Sequence, residues 1–516
     1  MSKKNIERGV TIMKNNKSIA AQTRLRTEQD MLKAVLMYIL PVLAVIFLRI
    51  TKLNNETDTK IVMRMALAGL ACYGIFKAYK GSFNAATAVK LIIIAGMAVR
   101  VGYMVYTHAF TRGYDIGMNN ETGVGHWGYL YHVINGHLPP SNEYQFYQPP
   151  LFYIISAIAI KVVMLFTGST DWTQYLYVSQ AVSCVASCIV LIYLEKIMDA
   201  LRINKTVQIA ALIITAFYPA QILTAGRMNN DSLVVMFMVL ALYFTLKWHQ
   251  SEKIKYIVCT AFAIGFAMMT KINGAMVAFV TGPIMIYHFV RCIRAKDREK
   301  IKNIIIQFAV FAVIVFPCGL WYPVRNYILF DQPLNFVHDL GENSFVYTGD
   351  ASWVDRWIRF PLFHFKDSPY MDMGNDTNIF MSLIKTGVHG EFSYDELSEF
   401  LAWSIEYVHL ILILFTAFAI AFTMLRNRKI DRTQKWSAFW VWALMAVSYI
   451  QFNIAYPFMC TADFRYVLLA QPAAAMFVSY YIGYAAQQNS KGYKYSARFA
   501  VVLCCVFGAM SIMHFC

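Results

Sequence analysis

Charge is what this chain has least of. Asp, Glu, Lys and Arg make up 15% of its 516 residues, against about 25% in soluble domains. That scarcity excludes a disordered chain and a cytosolic enzyme. Cysteine pairs of the CxxC kind are missing, and none of the ten cysteines sits in a Cys/His cluster with zinc spacing. A structural zinc site is thereby excluded, and the same scarcity of charge in so apolar a chain rules out a disulfide-framed secreted domain. Neither usual phosphate-cradling glycine loop occurs, so nothing here reads as a nucleotide site. No small-residue cleavage site follows the first apolar run, and residues 1–31 carry seven Lys/Arg, so they read as a cytoplasmic basic tail and not a cleaved signal. No repeat of fixed period is present.

What the chain does have is apolar sequence. Hydrophobic residues make up 58%, with a mean hydropathy of +0.45, in blocks of about 16 to 23 residues, long enough to cross a bilayer. The expectation is an all-α polytopic membrane protein of about thirteen spans: 32–50, 61–76, 89–107, 176–194, 207–224, 232–248, 256–271, 272–290, 303–320, 403–425, 436–456, 465–484 and 499–515. A further run, 150–167, opens with Pro149-Pro150 and carries Lys161. With that run lying at the interface and the amino terminus inside, five inner loops hold 19 Lys/Arg, while the short outer loops 225–231 and 457–464 hold only Arg227. Letting 150–167 span reverses the asymmetry, against the positive-inside rule. The net charge of +16 is then a topology signal facing anionic inner lipid, and no basic face for nucleic acid remains. In domain terms we expect the tail 1–31, two extra spans within 32–88, a catalytic membrane module at 89–320 with its first outer loop at 108–175, an outer loop domain at 321–402, and further spans over 403–516. Loop 321–402 holds twelve acidic and five basic residues, and loops of that length are usually functional.

Four polar features share the outer face under this topology. The first loop carries Tyr114-Asp115, then His126-Trp127-Gly128-Tyr129, then Tyr147-Gln148-Pro149-Pro150. A carboxylate at Asp115 suits a general base against a hydroxyl held at the membrane surface, or equally a helix cap. The second feature runs from Arg227 through Asn230 to Asp231, at a helix start where capping is the competing reading. The third is Asp463-Phe464-Arg465, either a local ion pair or a phosphate clamp. The fourth is Lys271, near the outer end of two adjoining spans, where ionisable groups are costly and default to function. Arg100 and Glu406 are weaker signals of the same kind. Cations suit a lipid phosphate and carboxylates suit proton abstraction; sugar transfer from a lipid phosphate needs both.

These tracts resemble GT-C fold membrane glycosyltransferases, in the branch of the protein O-mannosyltransferases and lipid A aminoarabinose transferases (glycosyltransferase family 39-like), over roughly 89–485. The resemblance implies a polyprenyl-phosphate-linked sugar as donor, a protein, glycan or lipid acceptor, inversion at the sugar, and action on the extracytoplasmic face of a membrane, here expected to be a bacterial plasma membrane. It implies Asp115 as base, with Asp231 assisting. Donor contacts fall to Lys271, Arg465, Gln148 and Arg227, and substrate contacts to Tyr114, His126, Tyr129, Tyr147, Asn230 and Asp463. The family usually has His or Lys where Gln148 stands, which moves phosphate binding toward Lys271 and Arg465. No metal ligands are assigned, although a divalent cation serves some members of the superfamily. A transporter or flippase of a lipid-linked saccharide and a catalytically degenerate scaffold are the rival readings; transporters usually show paired repeats and broken helices, and the sequence displays neither.

Overall fold

The computed structural model describes residues 35–111, 114–117, 123–334, 336–360, 377–390, 399–427 and 430–516. The tail 1–31 lies outside the described residues. Those described are helical, with one isolated bridge, Tyr347 to Phe458, and no strand among them. The order is α1 (Val35–Ile50), α2 (Glu56–Tyr79), α3 (Ala85–Tyr106), α4 (His126–Ile134), α5 (Leu151–Thr167), α6 (Tyr177–Ala200), α7 (Lys205–Ala216), α8 (Pro219–Ala225), α9 (Asp231–Ser251), α10 (Ile254–Thr270), α11 (Ala278–Arg294), α12 (Arg298–Phe330), α13 (Trp353–Trp357), α14 (Ile379–His389), α15 (Glu399–Leu425), α16 (Arg432–Ala455), α17 (Ala470–Ala486) and α18 (Lys491–Phe515).

The chain is an integral, multi-pass membrane protein. Nine of the described helices are long and apolar enough to span, or eleven if two bent pairs count as one span each. The bent pairs are α7 with α8 and residues 459–467 with α17, each turning by 56°. Unbroken spans were expected at both places. At the first the physical reason is Pro219, which has no N–H to offer the carbonyl four residues back and starts a new helix as its N1 residue. Of the expected span 32–50 the described part, 35–50, is helical as α1; 256–271 appears as α10, of 17 residues, and 150–167 as the separate helix α5, stopped by Gly168 at φ 70°. Helix α12 also differs. It runs on through Pro317 and Pro323 to Phe330, ten residues beyond the expected end at 320.

Burial separates core from periphery. Helix α3 is 67% buried within the bundle and α2 only 11%. Around α3 pack α2, α6 and α7; α9 packs on α6 and α10; α10 on α12; and α17 bridges α7, α15, α16 and α18. Arg100, deep in α3, is a structural staple. It donates to Ser187 Oγ at 2.9 Å on α6, to the carbonyl of Thr215 at 3.1 Å and to that of Ala216. Thr215 O is the carbonyl that Pro219 cannot serve, so the guanidinium satisfies the broken helix end. Arg100→Met leaves buried carbonyls unpaired and is expected to cost about 2–4 kcal/mol. Thermal unfolding in detergent checks this, and an unchanged melting temperature contradicts it.

Candidate active site

Both broken spans end at the same place. Helix α8 delivers Arg227–Asp231, and the turn before α17 delivers Asp463–Tyr466. The α10–α11 junction supplies Lys271 and Asn273, and the first loop supplies Asp115, His126 and Tyr144–Gln148. These segments line one cavity of about 280 Å³, at the small end of ligand pockets. Phe336, Val337, His338 and Leu340 of the long loop close one side. That loop is fixed by backbone bonds from Thr348 N to Pro457 O and from Met459 N to Val346 O, both 2.8 Å. Helix α12 buttresses the floor, since Tyr322 donates to the carbonyl of Phe146 at 2.8 Å.

Two ion pairs face the cavity. Arg465 Nη1 lies 3.2 Å from Asp115 Oδ2, and Lys271 Nζ lies 2.7 Å from Asp231 Oδ1. The local pairing of Asp463 with the Arg465 side chain does not describe this geometry. Asp463 instead accepts the Arg465 backbone N–H at 2.6 Å, capping the turn and aiming the guanidinium toward Asp115. Asp231 is the first residue of α9 and not its cap. Asn229 holds it from both sides, donating Nδ2 to Asp231 Oδ2 at 2.9 Å and accepting the Asp231 N–H at 3.1 Å. Tyr144 donates to Asp115 Oδ1 at 2.9 Å. Its backbone sits at φ 45°, in the left-handed region that is costly for a bulky residue. The cations Lys271 and Arg465 both lie over the Tyr466 ring, at 5.4 and 5.2 Å.

Burial acts to raise the Asp115 carboxyl, but Arg465 beside it, with the Tyr144 hydroxyl, outweighs this and holds it below the usual carboxylate range. Burial together with the Asp115 carboxylate pushes the Tyr144 phenol up, so it remains a donor. A carboxylate fixed in this way is ionised but a poor base until one partner leaves.

The remaining expected residues divide. Gln148 and Asn230 line the cavity and bond to each other; Asn230 also donates to the carbonyl of Thr270 at 3.0 Å. Tyr147 lines the cavity. Tyr129 does not: it is fully buried behind it, donating to the carbonyl of Gln148 at 2.9 Å. Arg227 is buried and off the lining. The Tyr114 side chain lies outside the described residues. His126 lines the cavity with Nδ1 2.6 Å from the Tyr153 hydroxyl. Burial depresses its pKa to about 4, from an ordinary value near 6.5. The unfolded chain therefore takes up this proton below about pH 6.5, and the folded one only near pH 4. The stability that neutral His126 contributes is complete above pH ~6.5 and is lost as pH falls toward 4. Melting temperatures should drop more steeply from pH 7 to 5 in the wild type than in His126→Asn, and equal slopes would refute this.

Sequence reasoning missed Tyr144, Gln145, Asn229, Asn273 and Tyr466 as site residues. Asn229 had a signal, being an Asn two residues before an acidic helix start; Tyr144 had none. The donor set does not suit a metal cage. Both carboxylates are committed to cations, and among the described residues no three His, Cys, Asp or Glu stand close enough together to hold an ion.

Residues 148–321 match the family model described as dolichyl-phosphate-mannose-protein mannosyltransferase. No curated protein matches the sequence. Among solved structures, the chain is similar to the Archaeoglobus fulgidus oligosaccharyltransferase tethered to an acceptor peptide containing the NVT sequon (TM-score 0.41, 12% identity, 83% of this chain). It spans 55% of that protein's length. It is also similar to ArnT from Cupriavidus metallidurans bound to undecaprenyl phosphate (TM-score 0.33, 15% identity, 77% of this chain and 79% of that one). The apo form of ArnT gives a TM-score of 0.33 at 14% identity, covering 78% of this chain and 80% of that one. The chain is thus a multi-pass, all-helical membrane protein similar, over residues 148–321, to the dolichyl-phosphate-mannose-protein mannosyltransferases.

Proposed function

We propose that the chain is a GT-C type glycosyltransferase that moves a sugar from a polyprenyl-phosphate donor to an acceptor hydroxyl at the extracytoplasmic face. The observation that carries this reading is the cavity itself, where two carboxylates and two cations meet beside an apolar space. A small space there is lined by Asp231, Lys271, Arg465 and Tyr466 with Met238 and Leu469, and a neighbouring apolar space that shares Leu469 is lined by Val239, Leu242, Val441 and Pro472. A phosphate at the charged end with a polyprenyl tail along the apolar end fits this amphiphilic shape. The mannosyltransferase match over 148–321 supports the same chemistry.

In the proposed step the acceptor oxygen attacks the anomeric carbon from the face opposite the phosphate. The carbon–oxygen bond to phosphate breaks, the polyprenyl phosphate leaves with the electron pair, and the configuration inverts. Asp115 takes the hydroxyl proton. Lys271 and Arg465 stabilise the departing phosphate, and Asp231 positions Lys271. The resting pair adds an ordering: a donor phosphate that engages Arg465 draws it from Asp115 and frees the base. The outer-face assignment rests on the asymmetry of Lys and Arg among the loops. Residues 336–340 of the long loop would shape the acceptor pocket.

The two broken spans keep one rival in play, a transporter of the lipid-linked saccharide. Proteoliposomes given a labelled lipid-linked sugar separate the two, since transfer frees the polyprenyl phosphate and transport moves the lipid-linked sugar intact, while mass spectrometry of envelope glycans and lipids from cells with and without the protein tests transfer in the cell. Transfer predicts loss of one glycosylated product and accumulation of its donor lipid. A complete set of sugar-modified products without the protein contradicts the proposal.

A further inference from the structure

A second cavity, of about 540 Å³, lies at the same end of the bundle as the catalytic one and shares no lining residue with it. Helix α4 is the wall between them: His126 faces the catalytic cavity and Trp127 the other. Its polar lining includes Arg49, Asn54, His108, Gln174 and Tyr177. Arg49 lies over the Tyr177 ring at 4.2 Å and donates Nη2 to the carbonyl of Val105 at 3.2 Å; with the Asn54 amide turned so that both its ends are satisfied, Nη1 donates to the Asn54 side-chain oxygen at 3.1 Å, and Nε is buried without a partner. Trp127 forms an aromatic shelf with Tyr131 (5.8 Å, stacked) and Trp172 (5.2 Å).

Beneath this chamber is an apolar slot of about 280 Å³ between α1, α2 and α3, lined by residues such as Ala44, Phe47, Leu48, Met63, Ala66 and Val101. The two spaces are in register. Leu48 of the slot precedes Arg49 of the chamber, and Val101 and Gly102 of the slot lie one helical turn before Val105 and Tyr106 of the chamber. The slot opens sideways between α1 and α2, where Phe47 is 56% exposed and Ala66 is exposed.

We propose that this pair of spaces is a binding site for one anionic glycerophospholipid, separate from the donor site. The lipid phosphate pairs with Arg49, headgroup hydroxyls reach Asn54 and Gln174, and an acyl chain fills the slot. A cation at the interface over an apolar slot suits an amphiphile better than a free anion, because each part satisfies one half of the molecule. The N-terminal helices α1 and α2 thereby acquire a role beyond anchoring, as two of the slot's three walls. The Trp127–Tyr131 shelf continues through α4 to His126, so an ordered lipid there would stiffen one side of the catalytic cavity.

The test is native mass spectrometry of the full chain released from nanodiscs of equal phosphatidylglycerol and phosphatidylcholine. The wild type should retain one phosphatidylglycerol in preference to phosphatidylcholine by about tenfold, the scale of one charge-assisted contact. Arg49→Gln should remove the preference, and Ala66→Phe, which fills the slot without touching Arg49, should remove retention of that lipid. Equal retention of both lipids by the wild type, or unchanged retention in Ala66→Phe, overturns the proposal. Displacement of the lipid by inorganic phosphate alone overturns it too, because it marks a free-anion site. The readout counts bound lipid and involves no sugar, so it stands or falls apart from the transferase reading.

Discussion

Asp115→Asn is expected to reduce sugar transfer by about 10³-fold, within the range for loss of a positioned general base, while the protein still inserts and folds. Asn keeps the shape of the side chain, and its one oxygen can still accept from either Tyr144 or Arg465, which now donate to the two carboxylate oxygens at 2.9 and 3.2 Å. The proton acceptor is lost, together with the charge that pairs with Arg465. The measurement is transfer from labelled polyprenyl-phosphate sugar in membranes with matched protein levels. Substantial activity in this variant removes Asp115 from the mechanism.

Arg465→Gln is expected to lower kcat/KM by about 10²-fold or more, since it removes a cation from the leaving phosphate. It carries a second signature with a definite sign. Arg465 is the chief influence holding the Asp115 carboxyl down against burial. Without it, burial acts unopposed by that cation and the carboxyl titrates at a higher pH. The acid limb of kcat/KM, which reports the free enzyme, should therefore move to higher pH. Arg465→Lys, which keeps the charge but not the fork, should restore the position of the limb more than the rate. A rate loss with an unmoved acid limb would mean that Arg465 does not govern Asp115.

The sequence makes the site's charged members visible for an energetic reason. In so apolar a chain, Asp115, Asp231, Lys271 and Arg465 are conspicuous because ionisable groups near a bilayer are costly to keep. Their partners are not visible. The Arg465 side chain bonds to Asp115 across 350 residues, and the carboxylate two residues away takes only its backbone N–H. That choice is made by the turn before α17, whose cap consumes Asp463. Tyr144 is hidden for a related reason: a left-handed backbone at a tyrosine is imposed by the fold and leaves no mark in composition. The number of hydrophobic blocks is readable from length and hydropathy, but the break at Pro219 is masked by apolar residues on both sides. Arg100 looked like a functional charge and proves to be the hydrogen-bonding complement of that break.

The central claim is that a phosphate-linked sugar is cleaved in the cavity where these two ion pairs meet. Proteoliposomes holding the purified chain, a polyprenyl-phosphate sugar labelled in both lipid and sugar, and an envelope extract as acceptor test it directly. Free polyprenyl phosphate should be released in step with sugar appearing on acceptor, and neither should occur with Asp115→Asn. Movement of the intact lipid-linked sugar across the bilayer with no phosphate released, or equal release by the Asp115→Asn protein, would contradict it.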